Sequence, residues 1–107
     1  MTRDELAEWA VEGSSYVLGR KGEFLAGINP KLKGLINIQG RGRIPDFLNF
    51  ESLMEVKNVK NLSNTLQLQD YATYAKNNQL PMKLFVRPNT KGSEKLLSEG
   101  WEIIYLW

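Results

Sequence analysis

The chain has 107 residues, with 42% hydrophobic and 24% charged residues and a net charge of +2, the balance of a single soluble domain, residues 1–107, with one modest core. It contains neither cysteine nor histidine, which excludes disulfides, zinc-finger and histidine-metal sites, and Ser-His or Cys-His nucleophilic catalysis. Any chemistry must run on carboxylates, lysine, tyrosine, hydroxyls or a hard metal ion, and with no long apolar run and no signal-peptide pattern, no membrane role is expected.

Residues 2–25 carry a broken 3.6-residue apolar pattern, so helix is expected there. Thr2 and Glu5 have the spacing of a capping box, and Gly13-Ser14-Ser15 predicts a kink or two consecutive helices. Residues 27–42 read as a basic loop, with Asn29-Pro30, glycines at 34, 40 and 42, and one short apolar run at 35–38 that could add a small strand. Two apolar-alternating runs near 43–48 and 53–59, separated by Asn49-Phe50-Glu51-Ser52, read as a β-hairpin. A helix is expected at about 64–77, where Leu66, Leu68, Tyr71, Ala72, Tyr74 and Ala75 keep helical spacing. A strand at 80–87 follows, then a short helix at 93–98 closed by Gly100, and a last apolar strand at 101–107. The order α-β-β-α-β-α-β defines an α/β (α+β) domain with a mixed sheet flanked by helices.

The hairpin is where chemistry concentrates. If its turn centres on Phe50-Glu51, Asp46 falls opposite Glu55, and Lys57 shares the face of Glu55 because side chains alternate along a strand. Two carboxylates and the carbonyl of Val56 could hold Mg²⁺ or Mn²⁺, and Lys57 could position or activate a water. Taken alone, Asp-x(8)-Glu-x-Lys is a weak pattern that better fits a salt-bridged surface hairpin. Residues 20–43 add Arg20, Lys21, Lys31, Lys33, Arg41 and Arg43 against Glu23 alone, a local basic surface suited to a phosphate backbone or to plain solvent. The tryptophans Trp9, Trp101 and Trp107 read as core or interface positions rather than base-stacking platforms.

Ile44-Pro45-Asp46 followed by Glu55-Val56-Lys57 resembles the PD-(D/E)XK signature of restriction-endonuclease-like nucleases. Gln67-Leu68-Gln69-Asp70-Tyr71 resembles the Gln-x-x-x-Tyr motif of some of its branches, and Gly22-Glu23 resembles the first-helix acidic residue. The likeness is closer still to the restriction-endonuclease-fold toxin domains of bacterial polymorphic and contact-dependent toxins. It is carried by Gly19-Arg20-Lys21-Gly22-Glu23, the two hairpin motifs through Lys60, Gln67 to Tyr71, and Leu84-Phe85-Val86-Arg87-Pro88, over about residues 19–92.

That resemblance implies a Mg²⁺- or Mn²⁺-dependent nuclease in which Glu23, Asp46, Glu55 and the Val56 carbonyl bind metal. Lys57 would be catalytic, Gln67 would orient Lys57, a water or a phosphate, and Tyr71 would support it. Arg20, Lys21, Arg41, Arg43, Lys60 and Arg87 are the candidate nucleic-acid contacts. DNA is favoured over RNA, with an RNase or tRNase toxin and an inactive binding module as the alternatives. A toxin of this kind implies a cognate immunity protein and action in bacterial cytoplasm after delivery into a target cell.

Overall fold

Thr2 accepts a hydrogen bond from the Glu5 N–H while the Glu5 carboxylate accepts from the Thr2 N–H, a reciprocal cap that starts α1 (Arg3–Ala10). Gly13, at φ 120°, ends the run and Ser14 caps α2 (Ser15–Ala26) by accepting from the Val17 N–H, so the expected break yields two consecutive helices. The computed structural model describes residues 1–29 and 33–107. Pro30 and Lys31, named above in the loop and its basic run, lie outside the described residues.

The expected small strand is real and has a partner. β1 (Ile36–Ile38) pairs antiparallel with β2 (Arg41–Arg43) through a two-residue turn in which Gln39 and Gly40 both have positive φ, 51° and 80°. That backbone matches the twist of a tight hairpin. Arg43 therefore belongs to this separate two-stranded sheet and not to the strand expected at 43–48. The remaining strand is short, β3 (Phe47–Leu48), paired antiparallel with β4 (Leu53–Lys57) as Phe47↔Met54 and Leu48↔Leu53. The pairing keeps the register expected from a turn at Phe50-Glu51.

From β4 the chain crosses through α3 (Leu66–Asn77) to β5 (Met82–Val86), then through α4 (Ser93–Ser98) to β6 (Glu102–Tyr105). β4, β5 and β6 are parallel, so the main sheet runs β3-β4-β5-β6 with one antiparallel edge. Thr65 caps α3 by accepting from the Leu68 N–H, and Gly100 follows α4 at φ 104°, the left-handed position that glycine fills without strain. This mixed α/β architecture agrees with the restriction-endonuclease-like fold expected from the motifs.

One face of the sheet meets α3 and the small hairpin. Leu53, Leu84 and Val86 pack with Leu68, Tyr71, Ala75, Ile36, Ile38, Leu96 and Trp101 in the main core, each large apolar side chain contributing about 1.5–3 kcal/mol by burial. On the other face Val56 packs with Ile28 and Leu106. Polar bonds then hold the layers in place. Asn58 is buried just after β4, and its amide donates to the carbonyls of Ala10 (2.8 Å) and Leu18 (2.9 Å) while its own side-chain oxygen accepts from Arg87 Nε at 2.8 Å. The small hairpin is fastened to α3 by Asp70, whose carboxylate accepts from Arg41 Nε (2.9 Å) and Nη2 (2.7 Å) and from Arg43 Nε (3.0 Å).

The bond from Arg41 holds the Asp70 carboxyl down to about 2 from an ordinary 3.8; burial opposes this and Arg43 reinforces it. The ion pair therefore stabilises the fold fully above pH 3.8, and that contribution disappears as the pH falls through about 2. Asp70→Asn should lower the melting temperature at pH 7 and flatten its decline between pH 4 and 2, measured by circular dichroism at several pH values. An unchanged melting profile would show that the hairpin does not depend on this pair.

Candidate active site

The site begins with strand geometry. Leu53, Glu55 and Lys57 alternate onto one face of β4, and Leu53 belongs to the core under α3. Glu55 is buried at 4% exposure, beyond Leu53 on that face, and Lys57 follows at the strand end. Asp46 stands just before β3, where the register brings it opposite Glu55. The two are interlocked: the Asp46 N–H donates to Glu55 Oε1 at 3.0 Å, and the Val56 N–H donates to Asp46 Oδ2 at 2.8 Å. Each carboxylate so keeps one oxygen on a backbone amide and turns the other elsewhere.

Those other oxygens meet ammonium groups. Glu55 Oε2 is 3.4 Å from Lys57 Nζ, and Asp46 Oδ1 is 3.4 Å from Lys33 Nζ. Lys33 Nζ also donates to Glu23 Oε1 at 2.9 Å, so one cation bridges the helix carboxylate and the hairpin carboxylate. Burial works against the Lys33 charge, but Glu23 and Asp46 outweigh it and raise its pKa. Glu55 shows how strongly the pocket resists negative charge. Burial first, then the adjacent Asp46, pushes its carboxyl up to about 8, against the pull of Lys57.

Glu23 reaches this cluster because of a glycine one residue earlier. A Cβ on Gly22 would lie 2.8 Å from Val56 Cγ1 and 3.1 Å from Asn58 Cβ. Only a bare backbone lets α2 approach β4 so closely. On the α3 side, Gln67 Oε1 accepts from Lys57 Nζ at 2.8 Å, which holds the lysine between a neutral acceptor and Glu55. Tyr71, one turn later, is fully buried, and its hydroxyl has no hydrogen-bond partner among the described residues. Its pKa is raised by burial and by the nearby Glu55 and Asp46.

The expected set of Glu23, Asp46, Glu55, Lys57, Gln67 and Tyr71 thus gathers in one region. The candidate nucleic-acid contacts do not form one patch. Arg41 and Arg43 are tied to Asp70. Lys21 donates to the Trp9 and Glu12 carbonyls at the end of α1 and lies 4.7 Å from the centre of the Trp9 ring. Arg87 is held by Asn58. Arg20 and Lys60 are exposed. Lys33, counted only as part of the basic run, is the residue that sequence reasoning missed: nothing in its local pattern marks it as the partner of Glu23 and Asp46.

The donor set has the chemistry of a hard-cation site. Hard carboxylate oxygens converge on one ammonium, which stands where a cation would be held. A residue's N–H and C=O point to the same side of a strand, so the Val56 carbonyl turns toward Asp46 along with its N–H. Among the described residues, no group of three or more carboxylates closes tightly enough to form a ready metal cage; Lys33 occupies the space between Glu23 and Asp46.

The chain belongs to the restriction endonuclease fold toxin 7 family, whose model matches residues 19–96. That span includes Glu23, both hairpin motifs, Gln67 and Tyr71. No curated protein and no solved structure matches the chain. Membership identifies a nuclease-type toxin domain, the class to which the fold and the Asp-Glu-Lys cluster had pointed.

Gly22→Ala should push α2 away from β4 and cost about 1–3 kcal/mol of stability by overpacking, read as a lower denaturant midpoint. An unchanged midpoint would mean that the helix does not need its close approach. Glu55 gives the opposite pH sign to Asp70. Its raised pKa means that the stability it contributes in EDTA is complete below pH 4.5 and is lost as the pH rises through about 8. Metal-free protein should therefore melt lower at pH 9 than at pH 6, and Glu55→Gln should remove most of that slope.

Proposed function

We propose that this chain is a divalent-metal-dependent endonuclease, the effector domain of a bacterial toxin, with DNA as its first substrate class and RNA as the second. The observation that carries the reading is the placement of Lys57 Nζ, 2.8 Å from Gln67 Oε1 and 3.4 Å from Glu55 Oε2, beside a carboxylate pair locked to backbone amides. A surface salt-bridged hairpin would not bury Glu55 or hold its lysine with a glutamine from another element. Family membership supports the reading by fixing the class of toxin.

Mg²⁺ or Mn²⁺ would be held by Asp46, Glu55, Glu23 and the Val56 carbonyl, and when bound would lower the pKa of a water and offset phosphate charge. The chain's own groups supply the rest. Asp46 and Glu55 are preset by the Val56 and Asp46 amides, so they need little reorganisation as charge develops. Gln67 accepts a hydrogen bond from Lys57 Nζ and aims the ammonium toward the carboxylates, where it can orient the attacking water or balance the phosphate. Lys33, which pairs with both Glu23 and Asp46, would be free to serve as a phosphate counter-ion at the rim if those carboxylates held a divalent cation. Tyr71 lies beneath the carboxylates and excludes bulk water from them.

A toxin with this activity calls for an immunity protein with acidic residues where it covers the basic rim. The site of action is the cytoplasm of a bacterial target cell reached after delivery. An inactive binding module has less support, since the residues needed for cleavage are present together.

The test is incubation of the purified chain with plasmid DNA and with total RNA, each with Mg²⁺, Mn²⁺ or EDTA. Metal-dependent cleavage is expected, and Asp46→Asn, Glu55→Gln and Lys57→Ala should each lower it by about 10²–10³-fold or more with unchanged far-ultraviolet circular dichroism. Gln67→Ala should cost less, about tenfold, because it acts through Lys57. Absence of cleavage of either nucleic acid with every metal would sink the reading.

A further inference from the structure

α2 contains two interior glycines, and they have different explanations. Gly22 is needed for close packing on Val56 and Asn58. Gly19 is not: a Cβ placed there meets nothing within 4 Å among the described residues. Glycine weakens a helix relative to alanine through backbone entropy, and nothing in the packing of α2 accounts for its presence here.

Gly19 lies where two hollows meet. One, of about 350 Å³, is lined by Ser15, Tyr16, Gly19, Arg20, Glu23 and Lys33. The other, of about 130 Å³, shares Ser15 and Gly19 and has Val56, Lys57 and Asn58 on its opposite side. Together they make a trough across the bare backbone of Gly19, leading from the catalytic lysine to the outer surface of α2. At its outer end Tyr16 is 74% exposed, and Arg20, one helical turn along, shares its face. An exposed aromatic ring beside a guanidinium is suited to a nucleobase stacked on the one and a phosphate paired with the other.

We propose that this trough is the subsite for the nucleotide next to the scissile phosphate, bound unpaired, with its backbone crossing Gly19, its base on Tyr16 and its phosphate at Arg20. The proposal rests on the nuclease reading above and adds a substrate preference to it: a base can cover Tyr16 only when it is out of a duplex stack. Single strands, or unpaired nucleotides in folded ones, are then preferred over continuous duplex. Gly19 and Tyr16 are positioning residues, since neither reaches the reacting atoms.

The test separates the trough from the packing of the helix. Gly19→Ala should raise the melting temperature, as any such change in an open helix position does, and yet lower kcat/KM on a single-stranded oligonucleotide by about tenfold. Gly19→Leu, which fills the trough, should lower it by about 100-fold. Tyr16→Ala should raise KM for single strands with little change in kcat, and Tyr16→Phe should restore it. Binding of the same fluorescent single-stranded DNA and RNA oligonucleotides, and of their duplexes, is followed by anisotropy in EDTA.

Full activity and binding in Gly19→Leu, or equal handling of single strand and duplex with Tyr16→Ala neutral, would overturn the proposal. If the wild-type chain binds the single strand but cuts nothing, the nuclease reading fails while the trough is judged by whether Gly19→Leu abolishes binding. If it neither binds nor cuts, both fall.

Discussion

Two hydrogen bonds set the terms for the rest of the molecule: the Asp46 N–H to Glu55 Oε1 and the Val56 N–H to Asp46 Oδ2. Two carboxylates placed side by side in a buried position repel each other and resist desolvation. A backbone amide on one oxygen of each offsets part of that cost, and the remainder shows in the Glu55 carboxyl, which burial and Asp46 push up to about 8. The second bond also shapes the sheet. Were the β3–β4 ladder to continue in register, Val56 would face Pro45, which has no N–H to donate to the Val56 carbonyl. The Val56 N–H donates instead to the side chain of Asp46, β3 stops after two residues, and the Val56 carbonyl is left without a ladder partner beside the site. A short edge strand is thus the condition for an accessible cluster.

The helices are arranged around that opening. Gly22 brings α2 against β4 from one side and so delivers Glu23, while Leu68 and Tyr71 anchor α3 in the core on the other and so deliver Gln67. Asn58 prevents the two layers from drifting apart, since its amide joins the end of α1 and the first turn of α2 to the residue after β4. Lys57 sits one residue before that knot. Its position is determined from both ends, by the β4 ladder before it and by Asn58 after it, which is the rigidity a positioned ammonium needs.

What could be seen in the sequence was what depends on local pattern. The break at Gly13, the turn at Phe50-Glu51 and its register, and the helix carrying Gln67 follow from capping, turn chemistry and periodicity over short windows. The motif resemblance placed Gln67 near the hairpin site with Lys57, a water or a phosphate as its target, and the fold pairs it with Lys57. The pairs that the sequence concealed join distant elements: Arg41 and Arg43 with Asp70, Lys33 with Glu23 and Asp46, and Asn58 with Ala10 and Leu18. Nothing within a window of ten residues distinguishes an arginine that will pair from one that will meet solvent. Strand β2 was hidden for a related reason, because Arg-Gly-Arg carries no apolar alternation and is held by its partner strand and by Asp70.

Those long-range pairs change the meaning of the charge distribution. Residues 20–43 contain six basic residues against one acidic residue, which as a count suggests a broad attractive surface. Within the fold Lys21 is turned onto helix carbonyls, Lys33 onto Glu23 and Asp46, and Arg41 and Arg43 onto Asp70. Paired cations contribute little to a long-range field, and few counterions are released by the contacts that remain. On the proposed reading, recognition would depend on a small number of defined points: Lys57 at the scissile phosphate, Lys33, and Arg20 beside Tyr16 along the trough. For a nucleic-acid substrate this would leave a weak attraction to the polyanion as a whole, and discrimination would fall to local shape. On the proposed reading, a strand that can leave its stack and lie across Gly19 would gain contacts at Tyr16 and Arg20 that a continuous duplex would not.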